Sequence, residues 1–184
     1  MENETKTRIN KILKNKLVKE SSDYLMIMIP ELSNMVGFDH NHPEHHLDVW
    51  NHTLLTLDNL DTDDIEINMA ALLHDIGKPF SYQDKIVRHF KGHAEVSANM
   101  AFLILQRLHY DAKFIEDVCY LIETHDLVID VSQLDNTVEM IEKRLQLQYA
   151  DAKAHHPNKV SKRIAKLDKI KNELQSRKDK TKTR

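Results

Sequence analysis

Cysteine is nearly absent from this chain: Cys119 is the only one in 184 residues, so no disulfide can close within it. A lone thiol in an apolar helical stretch reads as an inert core residue and fits a reducing, cytoplasmic setting. Glycine (3) and proline (4) are also scarce, which points to long helices joined by few tight turns. Nowhere do 18 apolar residues run together, and residues 1–19 are polar and mixed in charge. Neither a membrane span nor a signal peptide is therefore expected.

What is present is ordinary in bulk and unusual in detail. With 41% hydrophobic and 30% charged residues, the chain has the composition of one globular domain large enough to bury a proper core. Histidine is in clear surplus, at 12 residues. The net charge of −3 conceals a split: residues 158–184 carry 11 Lys/Arg against 3 Asp/Glu, leaving 15 against 26 before them. Residues 1–157 form the domain proper, at −11, and residues 158–184 a basic C-terminal helix and tail, at +8, that joins the same domain or frays.

Apolar spacing at i, i+3 and i+4 predicts an all-α chain of about six to eight helices. A first helix over 6–29 ends at Pro30, and 37–44 is a loop. Helices follow at 47–60 and 65–75, the second capped from the 61–64 turn and stopped by Gly77. An irregular connection over 79–92 leads to a helix opening at Gly92-His93. Asp111 caps a helix over 112–125. Residues 127–134 read equally as a short strand or a loop. Asp135 caps a long helix reaching His155, Pro157 ends it, and the last helix runs from 158 to about 176, with a fraying end.

The candidate chemistry gathers around His74-Asp75, where an apolar helix ends. Neighbouring helical side chains diverge by about 100°, so the two cannot both face the core, yet from a helix end they can reach one ion. Imidazole nitrogen with carboxylate oxygen suits Mn, Fe, Co, Ni, Zn or Mg. His52, His93, His125 and Asp151 each sit among apolar neighbours on other helices. A buried imidazole or carboxylate without a partner costs several kcal/mol. Gathering the six on one or two divalent cations removes that cost.

His52, then His74-Asp75, then Asp151 resembles the H…HD…D signature of the HD-domain metal-dependent phosphohydrolases. His93 and His125 match the two added histidines of members with a binuclear centre. The phrases Gly-Phe-Asp-His-Asn-His-Pro-Glu (37–44), Asp-Val-Trp-Asn-His-Thr (48–53), His-Asp-Ile-Gly-Lys-Pro (74–79) and His-Phe-Lys-Gly-His (89–93) are similar to the HD domain of bacterial CCA-adding tRNA nucleotidyltransferases. No counterpart of that family's nucleotidyltransferase head is found, so CCA addition is not expected and only hydrolysis carries over. The resemblance implies an HD helical bundle with 2′,3′-cyclic phosphodiesterase, 2′-nucleotidase or phosphatase activity.

It further implies that His52, His74, Asp75 and Asp151 surround one metal, and that Asp75 bridges to a second held by His93 and His125. Asp75, Lys78 and His89 are then the catalytic candidates. Lys78, His89 and Lys91 are the substrate-binding candidates, through phosphate contact and, for His89, a proton for the leaving group. The expected substrate is a small nucleotide or an RNA 3′-end phosphate. Other HD substrates (5′-nucleotides, dinucleoside polyphosphates, alarmones) and a non-catalytic RNA- or partner-binding module stay open, as does homo-oligomerisation.

The remaining polar residues get plainer readings. His40, His42, His45 and His46 are taken as solvated residues at a rim, and His109, His155 and His156 as surface. Asp48 and Asp126 either orient ligand histidines or lie exposed. Trp50 and Phe90 are core. The basic tail is read as a solvated helix face in preference to an RNA-binding arm.

Overall fold

The computed structural model describes residues 2–131 and 138–182. Nine α-helices and one 3-10 helix account for nearly all the regular structure of these residues, which hold two isolated β-bridges and no strand. In chain order they are α1 (Glu2–Lys14), α2 (Ser22–Met28), the 3-10 helix (Pro30–Met35), α3 (Val49–Asn59), α4 (Ile65–Leu73), α5 (Lys78–Ser81), α6 (His93–Arg107), α7 (Ala112–Glu123), α8 (Val138–Ala154) and α9 (Pro157–Lys182). The fold is all-α, as the apolar spacing predicts.

Two helices exceed the seven read from the sequence, each for a local reason. The 6–29 helix is divided because Lys16 turns left-handed (φ 55°) and ends α1 before α2 begins. The 79–92 connection is irregular except for one helical turn, α5, started by Pro79 near its N-terminus. Gly77 does not act as a left-handed stop: its φ of −82° and ψ of −13° are right-handed helical. At the far end α9 runs past the expected 176 to Lys182. Residues 127–131 form no strand, while 132–134 and the proposed cap Asp135 lie outside the described residues.

Helix starts follow their caps. Asp48 accepts from the Asn51 amide at 2.7 Å, Asp64 from the Glu66 amide at 2.9 Å, and Asp111 from the Phe114 amide at 3.0 Å. Asp48 also takes the Gly37 amide at 2.8 Å, so it closes the 37–48 loop onto α3 rather than orienting a ligand histidine.

Helix α4 is the axis of the bundle. Every residue from Ile67 to Leu73 is buried, Asn68 included, and α4 packs against α1, α3, α6, α7 and α8. An all-round apolar helix of this kind belongs in a core. A second, smaller core joins α8 to α9 through Leu145, Ala152, Leu167 and Leu174. The consequence for chemistry is that the residues just after α4, His74 and Asp75, are delivered to the middle of the protein.

Candidate metal centre

Four helix ends and one long helix converge beyond the C-terminus of α4. His52 comes from the first turn of α3, and His74-Asp75 from the end of α4. His93 opens α6, His125 follows α7, and Asp151 lies in the last turn of α8. The structure brings all six sequence candidates together. Asp75 is the hub: its Oδ2 lies 3.2 Å from His74 Nε2 and 3.6 Å from His52 Nε2. Its other oxygen, Oδ1, lies 3.4 Å from His93 Nε2 and 3.9 Å from His125 Nε2. Asp151 Oδ1 closes the first group, 2.9 Å from His52 Nε2 and 3.9 Å from His74 Nε2.

Backbone carbonyls settle which nitrogen each histidine presents. Nδ1 of His52 faces the Ala154 carbonyl at 3.3 Å, and Nδ1 of His74 faces Ala71 at 2.8 Å. Nδ1 of His93 faces Phe90 at 2.9 Å and that of His125 faces Ile122 at 2.6 Å. A carbonyl only accepts, so Nδ1 donates to it and Nε2 is the nitrogen that each ring presents inward, where its lone pair is open to a cation once any proton there is lost. Four ring nitrogens and two carboxylates thus meet in one buried space.

Such a set is incomplete by itself. His74 Nε2 and Asp75 Oδ1 are buried without a hydrogen-bond partner, and the inward nitrogens of His93 and His125 stand 3.3 Å apart. Orphaned buried acceptors of this kind cost roughly 1–3 kcal/mol each. A cation satisfies them, and the donor set is one that divalent metals take. His52, His74 and Asp75 have the mutual spacing to hold one ion, and Asp75, His93 and His125 another. The residues fit the group.

Charge is balanced tightly here. Burial by itself would raise the Asp75 carboxyl, but His74 and the Lys78 ammonium hold it well below the usual carboxylate range. Burial is likewise overcome at Asp151, by His155 and His52. His125 goes the other way, pushed down to about 4 by burial and then by the charge of His74. Burial opposes the proton on His74 too, yet the adjacent Asp75 raises it.

Lys78 is buried rather than solvated. Its Nζ donates to Asp75 Oδ2 at 2.6 Å and sits 3.1 Å from His40 Nε2. His40 itself corrects the sequence reading: it is fully buried, with Nδ1 on the Leu47 carbonyl at 2.9 Å and its ring stacked 3.7 Å from His45. Burial and then Lys78 push its pKa down to about 3, which keeps Nε2 free to accept from the ammonium. His155 is a second correction, buried with Nδ1 3.6 Å from Asp151 Oδ1. Both read as solvated in the sequence because their stretches, a loop without periodicity and a helix end, carry no sign of which way they fold. His46 and His109 are exposed and His42 and His156 half-buried, close to their readings. Phe90 is half-buried, edge-on to Phe38 and His40. Cys119 is half-buried beside the core, its thiol pushed up to about 11 by burial.

A cleft of about 560 Å³ opens above the cluster, with Asp75, His93, His125 and Asp151 in its floor. Lys78, His89 and Lys91 all line it, the last two exposed, and so does Arg88. Arg88 went unremarked in the sequence: it donates to the Asp39 carbonyl at 2.6 Å and lies over the Phe38 and Tyr82 rings, tying the 82–92 segment to the 37–48 loop. Asp126 is an exposed rim residue. Two further residues, one turn apart on α8, escaped notice as well. Gln148 donates to the Leu127 carbonyl at 2.7 Å and Arg144 to the Thr124 carbonyl at 3.1 Å, clamping the turn that carries His125. A helical Arg-x-x-x-Gln pair gives no sequence signal of that job.

The shifted histidines set an acid limit. His125 and His40 titrate in the fold at about 4 and about 3, against 6.5 for a free histidine. The unfolded chain therefore takes protons that the folded one refuses, and their stabilisation, full above pH ~6.5, is lost as pH falls through that window. Below pH ~3.8 Asp75 and Asp151 add to the same loss, whereas His74, raised, works in the opposite sense. The urea midpoint of chelator-treated protein should drop steadily from pH 6.5 to 4; a flat midpoint would contradict these environments.

The HD domain family model matches residues 44–174. The chain is also similar to the CC-adding tRNA nucleotidyltransferase of Thermus thermophilus, at 36% identity over 108 residues (55% of this chain, 25% of that protein). It is similar to the A-adding tRNA nucleotidyltransferase of Deinococcus radiodurans, at 32% identity over 151 residues (75% of this chain, 35% of that protein). It thus spans about a quarter to a third of the length of these two curated relatives.

Proposed function

Because the chain belongs to the HD domain family, we propose that it is a metal-dependent phosphohydrolase of nucleotide-type phosphate esters, with 2′,3′-cyclic phosphates and 2′-monophosphates as its substrates. The observation that carries this reading is Asp75, a buried carboxylate with two inward histidine nitrogens facing each of its oxygens. The relatives are tRNA nucleotidyltransferases, which supports a nucleotide or RNA ester as the substrate class.

His52, His74, Asp75 and Asp151 would hold one divalent cation, and Asp75, His93 and His125 a second. Such ions lower the pKa of water and draw charge from phosphoryl oxygens. The protein groups do the rest. With Nδ1 of each histidine fixed on a carbonyl, the inward lone pairs need no rearrangement before binding. Lys78 holds Asp75 Oδ2 in place and adds a positive charge to the cleft wall. Lys91 and Arg88 draw the phosphate into the cleft. For a cyclic ester the water oxygen bonds to phosphorus, one ring P–O bond breaks, and His89 gives a proton to the departing ribose oxygen while the water proton passes to solvent.

The test is a panel of 2′,3′-cyclic, 2′-, 3′- and 5′-phosphates against several divalent metals, with and without chelator. Hydrolysis of the cyclic and 2′-esters that chelator stops and added metal restores is the expected result. Turnover indifferent to chelator would contradict the reading. Selective cleavage of 5′-nucleotides would keep the metal centre and replace the substrate.

A further inference from the structure

The cleft above the metal centre has a second arm. A cavity of about 400 Å³ runs from His125 and Asp151 between the 125–128 turn and α9. It shares His125, Asp151 and Arg163 with the first cleft, so the two arms meet over the candidate ligands. One wall of this arm is cationic; the other carries the apolar side chains of Leu127 and Val128 next to the exposed carboxylate of Asp126.

The cationic wall is helix α9. Lys159, Lys162, Arg163 and Lys166 all line the cavity, spaced at three and four residues and so on one helical face. Among the described residues no carboxylate pairs with Lys159, Lys162 or Lys166. Arg163 instead donates to Glu44 at 2.6 Å, which neutralises the acid facing α9. From Lys159 to Lys166 the helix rises about 10 Å, at 1.5 Å per residue. That length accommodates two or three successive phosphates of a single strand. Leu167 and Leu174 anchor the helix in the smaller core, so the backbone positions that carry these cations belong to the packed fold.

The apolar wall is the turn itself. Leu127 and Val128 line the cavity at 54% and 85% exposure. Large apolar side chains on a free turn would fold inward, but this turn is clamped from beneath by Gln148 and Arg144 on the Leu127 carbonyl. A fixed apolar lip facing a row of lysines suits a chain of alternating apolar bases and charged phosphates. A mononucleotide in the first cleft would leave both walls unused.

We propose that this second arm binds the strand leading into the reacting phosphate, so that the substrate is the 3′ end of a single-stranded oligoribonucleotide and not a free nucleotide. The inference rests on the proposed hydrolysis for the position of the reacting phosphate, while strand binding stands on the two walls alone. It revises the reading of the tail: the 159–166 part of α9 is a substrate wall, although most of the basic helix beyond it faces solvent.

Binding and turnover are measured separately so that either reading can fail alone. In chelator, the full chain should bind an RNA octamer ending in a 3′-phosphate at least 10-fold more tightly than a nucleoside monophosphate. The logarithm of affinity should fall against log salt with a slope near −2, about 0.7 per phosphate contacted. The exposed triple variant Lys159→Gln/Lys162→Gln/Lys166→Gln should lose that preference and flatten the slope. A variant with the same change of charge elsewhere, Lys11→Gln/Lys19→Gln/Lys169→Gln, should keep both. With metal, the ratio of kcat/KM for a cyclic-ended octamer over cyclic mononucleotide should fall at least 10-fold in the first triple variant only. Equal binding of octamer and mononucleotide, equal effects of the two triple variants, or equally tight binding of a polyglutamate would each overturn the proposal. Octamer binding without hydrolysis of any ester would overturn the proposed function and leave the strand site standing.

Discussion

Asp75→Asn is expected to abolish metal-dependent hydrolysis and to empty both halves of the candidate centre at once. Among the described residues the carboxylate is the one group that faces both pairs of histidines, with Oδ2 toward His52 and His74 and Oδ1 toward His93 and His125. An asparagine keeps the shape but is neutral and offers a single acceptor oxygen, so both pairs lose the Asp75 charge and one of them faces an NH2 donor in its place. The fall in kcat/KM should exceed the ~10–100-fold that loss of an outer partner costs at a metal site, and metal per chain should fall with it. Stability will drop as well, because Lys78 is left buried with its charge uncompensated. Breaking a buried pair by removing one partner costs about 3–5 kcal/mol. The double variant Asp75→Asn/Lys78→Met separates the two effects: it should recover much of the thermal midpoint and none of the activity. A double variant that regains hydrolysis, or an Asp75→Asn protein that keeps its metal content, would remove Asp75 from the centre.

Gly77→Val should cost the fold itself, two residues away from the chemistry. A Cβ at residue 77 would stand 2.6 Å from the Ser97 amide nitrogen and 2.8 Å from the His93 carbonyl oxygen. Both are backbone atoms of α6, so no side chain can swing aside. The Gly77 amide also donates to Ser97 Oγ at 2.9 Å, which pins the α4–α5 turn to α6. Overpacking in a well-packed core costs about 1–3 kcal/mol and occasionally more; Gly77→Ala belongs at or above the top of that range. The larger valine should leave most of the protein insoluble. Because the clash includes the first residue of α6, Gly77→Ala should also move His93 and weaken metal binding more than its loss of stability explains. Isothermal titration at a temperature where the variant is fully folded would show this, and wild-type affinity there would argue that α6 has not moved.

Much of the bundle is legible without coordinates because its helices are amphipathic and capped. Asp64 and Asp111 stand before apolar periodic runs and cap them. The apolar residues from Ile67 to Leu73 announce a helix, and the structure adds that Asn68 and Met69 are buried with them. The six ligand candidates are legible for a related reason: an imidazole or carboxylate among apolar neighbours must have a partner, and six of them spread over five helices point to a shared one. Legibility fails where the chain is irregular. The 37–48 loop reads as a solvated rim, yet Asp48 draws it onto α3 and buries His40 against Lys78. His155 ends a helix whose pattern has already faded; the i, i+4 spacing puts it beside Asp151, and only tertiary packing buries it against His45 and His52.

The residue types and their periodicity therefore determined the helical class and the identity of the groups that gather at the end of α4. Tertiary structure alone decided which oxygen of Asp75 faces which histidines, that Lys78 is paired and buried, and that α9 turns a row of lysines toward the same centre. The reason is the range of the forces involved. Periodicity and capping act within a few residues and are written in local order, whereas a carboxylate's two faces and a cleft's two walls are set by segments far apart in the chain, Asp75 against His52 and His125 among them.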